Sequence, residues 1–129
     1  MKKKWLIIVA ILSICIMTIY GYIQYDDYKT EKEMVNVIQW QQMPEFIETV
    51  KNAKNNHQLV DIKKYPFLSD KGFRAAGEDY EGCVWISKAG YIADVIYYCE
   101  QQTNFNREHQ STYLKKKLSD HWYWCKYYM

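Results

Sequence analysis

The chain has 129 residues with a formal net charge of +2, and 49% of it is apolar. That length holds one domain, or one domain with an anchor, and so small a charge excludes a strongly basic nucleic-acid surface. Five glycines and two prolines exclude collagen-like and low-complexity classes, and the unusual quantity is aromatic: 13 Tyr and 5 Trp.

Residues 5–23 read WLIIVAILSICIMTIYGYI, sixteen apolar of nineteen and none charged. As a helix they span about 28 Å, close to a hydrocarbon core of about 30 Å. Their ten Leu, Ile and Val residues favour insertion by roughly 3 to 6 kcal/mol. Lys2, Lys3 and Lys4 precede the run, and the positive-inside rule keeps such a flank in the cytoplasm. Trp5 at one boundary and Tyr20, Tyr22, Tyr25 and Tyr28 at the other are expected membrane-interface anchors, because aromatic rings favour the headgroup zone.

The run exceeds a typical signal-peptide core and no A-x-A site follows it, so an uncleaved signal anchor is expected over a secreted chain. Cys15 is preceded by Ile14, where a lipoprotein signal wants a small residue. Without the leader lysines the chain carries 14 basic and 15 acidic residues, so its apparent basicity is a topology signal.

Four segments are expected: a basic leader at 1–4, a transmembrane anchor at 5–24, a helical extension at 25–57, and a strand-rich extracytoplasmic domain at 58–129. The fold class is α+β, with a small, mainly antiparallel sheet. Within 25–57 the firmest helix runs from Pro44 to about Lys54. Proline suits a first turn, Glu45 and Glu48 lie near its start, and Lys51 and Lys54 near its end. Met43, Ile47 and Val50 form its apolar stripe, flanked by Phe46 and Ala53. Met34, Val37, Ile38 and Trp40 continue the upstream helix, which Pro44 interrupts.

Residues 59–62 read as a short strand, 69–72 as a turn, and Gly77 as a further turn. Residues 80–87 and 91–100 are the best strands, and a three-residue loop at 88–90 joins them as a central hairpin. Residues 111–118 are ambiguous between helix and strand. Residues 121–129, HWYWCKYYM, read as a final strand.

Three cysteines lie beyond the apolar run, where an oxidising compartment favours one disulfide. The three-residue loop puts Cys83 opposite Val95 and leaves Cys99 roughly 13 Å away. The expected pair is therefore Cys99–Cys125, with Cys83–Cys125 next.

No catalytic residue, metal ligand or cofactor site is expected. C-x-x-C, phosphate-loop, G-x-S-x-G and H-E-x-x-H patterns are absent. His121 and Cys125 lack a second ligand pair, and Glu78, Asp79 and Glu81 lack calcium-loop spacing. An exposed Trp/Tyr ladder from Trp122, Trp124 and Tyr128, with Trp85, is the expected partner-binding surface, since such residues concentrate binding energy.

The expectation is a single-pass module at a bacterial inner membrane, N-terminus in the cytoplasm, held in lipid by residues 5–24. Its domain, periplasmic, binds another envelope protein, with no nucleic acid and no catalysis. The element order also resembles type IV pilins and pseudopilins, which implies a filament or assembly subunit. Those families carry an acidic residue early in the apolar helix, and residues 5–23 contain none.

Overall fold

The computed structural model describes residues 2–57, 60–78, 82–100 and 112–128. The fold is α+β: a long N-terminal apolar helix, two further α-helices and a 3-10 turn, then five antiparallel strands. The chain divides into two units, residues 1–33 and 34–129.

The first unit is the larger part of α1, Lys2–Ile38. It has a stretch long and apolar enough to cross a membrane. From residue 2 to residue 24 every side chain is exposed, as a lipid-facing helix requires. Thr18 meets the same requirement locally, since its Oγ1 donates to the Ile14 carbonyl at 2.8 Å. Beyond the apolar run, Gln24 Nε2 donates to Tyr20 Oη at 2.8 Å.

The second unit opens with the last turn of α1, where Met34 and Val37 are buried. The helix stops before Trp40, and α2, Met43–Asn55, starts with Pro44 in its first turn. Met43, Phe46, Ile47, Val50 and Ala53 are the buried residues of α2, the stripe expected from their spacing.

Residues 59–62 do not form the expected strand. Leu59 lies outside the described residues, and Ile62–Lys64 is a 3-10 turn capped by Asp61, whose Oδ1 accepts from the Lys63 amide at 3.1 Å. An aspartate that satisfies the backbone locally competes with strand pairing. The one-turn α3, Pro66–Ser69, follows and buries Phe67 and Leu68.

The strands are β1 (Phe73–Glu78), β2 (Val84–Lys88), β3 (Ile92–Tyr98), β4 (Thr112–Ser119) and β5 (Trp122–Tyr128), in spatial order β1-β2-β3-β5-β4. The β2–β3 hairpin is interior, as its two-faced apolar pattern implies. Of the ambiguous segment 111–118, the described residues from Thr112 on are strand: β4 forms the edge beside β5, and Ser111 lies outside the described residues. The first strand escapes sequence reading, because FRAAGE is short, rich in Ala and Gly, and has little β-propensity. Gly77 sits inside that strand, opposite Trp85.

One sheet face carries Val84, Ile86, Ile96 and Trp122, which join α1's last turn, α2 and α3 in the main core. The opposite face carries Cys83, Cys99, Tyr123 and Cys125, with Tyr97 packed against them.

The disulfide joins Cys83 to Cys99, correcting the expected Cys99–Cys125 pair. The hairpin register is Val84↔Tyr98 through Ser87↔Val95, so residues 88–94 form the connection, wider than the expected three. The strand ends peel apart because other neighbours recruit them: Lys88 pairs with Phe73, and Ile92 and Asp94 pair with Tyr128 and Lys126. Cys83 then lies across from Cys99 with a Cα–Cα separation of 4.5 Å, the spacing of a close antiparallel pair. Cys125 pairs with Val95 and Leu114, while His121 sits beside Cys99. Four residues of β5, about 13 Å, therefore separate Cys125 from Cys99.

Candidate binding surface

The final strand is where the structure most revises the expected site. Trp122 and Trp124 are only 9% and 2% exposed. They face the main core side of the sheet, so they are packing residues and not an exposed ladder. Trp122 lies 4.9 Å from the Tyr98 ring. Trp124 donates its indole N–H to Asp94 Oδ1 at 2.9 Å, and Lys126 pairs with the same carboxylate oxygen at 2.7 Å. Lys126 also lies 5.8 Å from the Trp124 ring centroid. A buried indole with its donor satisfied adds to stability and offers a partner nothing.

Tyr128 remains at the surface, donating to Tyr113 Oη at 2.8 Å while the two rings stack at 5.3 Å. That hydrogen bond, with some burial, raises the Tyr128 phenol above its ordinary value, because ionisation would lose the donated proton.

Trp85 is half-buried on the opposite sheet face, away from α2 and α3. With Ser87, Val95, Tyr97 and Tyr127 it lines a groove of about 300 Å³. The register explains the grouping: Trp85 pairs with Tyr97, Ser87 with Val95, and Tyr127 with Ala93, all on one face. Gly77 lies beneath the Trp85 ring, with no side chain in the way. Ser87 Oγ donates to the Lys88 carbonyl at 2.9 Å. The groove is therefore an aromatic cleft with few polar groups, suited to an apolar side chain and not to proton transfer.

Tyr97 and Tyr127 were not singled out in the sequence. Strand alternation places them with Trp85 only once the Cys83–Cys99 register is known. Cys125, buried on the same face, has its thiol pushed up to about 12 by desolvation.

A larger cleft of about 450 Å³ lies on the helix side, between Pro44, Ile47 and Trp122. Of its charged residues Glu48, Lys51 and Glu100, the last two form an ion pair with each other. Glu78 is 4.0 Å from Lys54, and Asp79 and Glu81 lie outside the described residues. His121 adopts a left-handed φ of 70° in the β4–β5 turn, and its Nδ1 contacts the Cys99 carbonyl oxygen at 2.9 Å. No group of three metal-ligating side chains gathers among the described residues. Trp5, Tyr20, Tyr22 and Tyr25 are all exposed on α1, at the two ends of its apolar run.

Compared with known protein families, curated proteins and solved structures, the chain matches none.

Proposed function

We propose that this protein is a membrane-anchored binding module, acting outside the cytoplasm by docking another envelope protein, without catalysis of its own. The observation that carries this reading is the aromatic groove of Trp85, Tyr97 and Tyr127 on the sheet face away from α2 and α3. Three aromatic rings with polar tips supply contact area at low entropic cost, the usual composition of a binding hot spot. The three lysines before the apolar run favour an N-terminus retained in the cytoplasm. The Cys83–Cys99 disulfide agrees with an oxidising compartment for the sheet domain.

Site-specific photo-crosslinking in the native host tests the reading. A photoreactive amino acid at Trp85 or Tyr127 is expected to yield one discrete protein adduct, absent when it replaces solvent-exposed Lys64, the last residue of the 3-10 turn. Adducts that fail to form at both groove positions would overturn the reading.

A further inference from the structure

Outside the groove, and apart from Trp40, the exposed large apolar side chains described in the sheet unit are not scattered. Tyr91 and Ile92 are 83% and 59% exposed, and Tyr113, Leu114 and Tyr128 about 40%. The strand register brings them together: Ile92 pairs with Tyr128, and Tyr113 with Lys126, beside it on β5. Tyr91, Ile92, Tyr113 and Tyr128 therefore lie at the end of the sheet where β3 and β4 begin and β5 finishes, while Leu114, paired with Cys125, turns to the opposite face. Together those at this end present on the order of 500 Å² of largely apolar surface, near the upper limit for one patch on a monomer.

The charges at that end are mostly of one sign. Phe73 pairs with Lys88, so the start of β1 lies at the same end and adds Lys71 and Arg74. Lys115 follows Leu114, close enough to Tyr128 to act on its phenol electrostatically. Of the two described acids nearby, Asp94 serves Lys126 and Trp124, and Asp70 precedes Lys71. Tyrosines and an isoleucine ringed by lysine and arginine match the headgroup zone of an anionic bilayer. The rings bury their apolar bodies, the hydroxyls stay wet, and long cationic stems reach phosphate.

We infer that this Tyr91/Ile92/Tyr128 end of the sheet binds anionic phospholipid surfaces, a second membrane contact beyond the apolar helix. It is separate from the groove and stands whether or not a protein occupies that groove. An acidic protein surface is the competing occupant. The lipid is favoured because tyrosines and cationic side chains share that end, and because the chain has a helix suited to a bilayer.

The test uses the full chain held in neutral phosphatidylcholine nanodiscs and challenged with separate vesicles. Vesicles with about 30% phosphatidylglycerol are expected to carry the nanodiscs up in a flotation gradient, and pure phosphatidylcholine vesicles are not. Salt near 0.5 M should suppress flotation, since it shortens the screening length to a few ångströms. Each basic residue near an anionic surface is worth about fivefold in affinity, so Lys115→Glu should weaken binding at least that much. Tyr91→Ser with Ile92→Ser should weaken it further, and both positions are exposed enough to leave the fold and the disulfide intact. Flotation indifferent to lipid charge, or unchanged in both variants, overturns the inference. So does an end that binds soluble polyglutamate and ignores anionic vesicles.

Discussion

A Cβ at position 77 would come to 2.8 Å from Cζ2 of Trp85 and 3.0 Å from its Cε2. Gly77 is therefore the seat of the indole that walls the groove, and a methyl group there must displace the ring. Gly77→Ala is expected to destabilise by about 1–3 kcal/mol, the usual cost of overpacking, read as a lower urea midpoint with shifted tryptophan emission. Cys125 makes the complementary case of a group held silent by burial. Its thiol, ordinarily near 9.0, is pushed up to about 12, so alkylation at neutral pH should reach it only after unfolding. The folded state then keeps a proton that the unfolded state has lost. Stability should accordingly be complete below pH 9.0 and fall as pH climbs from there towards about 12, by at most ~1.4 kcal/mol per pH unit. Denaturation midpoints across that window should decline less steeply in Cys125→Ala than in the parent chain.

At the scale of elements, the β2–β3 hairpin and its disulfide decide the architecture. The cross-link closes a segment with a sequence separation of 16, worth about 3 kcal/mol in the chain-entropy model. Cys83→Ser is expected to lower stability by about that amount and to remove the mobility shift between reduced and non-reduced gels. Cys125→Ser should leave the shift in place, and the reverse result would restore the Cys99–Cys125 pairing. Helix α2 was legible because five apolar residues at helical spacing have one way to be buried. The interior hairpin was legible because it is apolar on both faces. Its register was not: a local turn rule gave a short loop, and pairing with β1 and β5 pulls the ends of β2 and β3 apart. The same non-local pairing hid β1, whose weak propensity is overridden by β2. It also hid the burial of Trp122 and Trp124, since the alternation of β5 shows which residues share a face but not which face a helix covers.

For the whole molecule, the outstanding question is what the apolar helix does once the chain is made. Its apolar run is long enough to span, and its exposed Trp5 and Tyr20 lie fifteen positions apart, about 22 Å along a helix. That separation suits rings placed towards the two headgroup zones. A helix of this composition also serves in a signal sequence, and the two roles leave different masses. If it is an anchor, membrane-extracted protein should have the mass of the full 129-residue chain, with or without the initiator methionine. Loss of the leader would make the sheet unit a released protein and would remove the tether from the proposed function. Orientation is a separate matter, for which the positive-inside rule gives the expectation that Lys2, Lys3 and Lys4 stay in the cytoplasm. With the lysines inside, alkaline phosphatase fused after Tyr128 should be active, and the Cys83–Cys99 bond should survive cell lysis under thiol-trapping conditions. An inactive fusion would put that bond in a reducing compartment, where a structural disulfide is not maintained. The two readouts therefore have to agree: an active fusion with a trapped disulfide supports a sheet domain outside the cytoplasm, and an inactive fusion with free thiols reverses the topology.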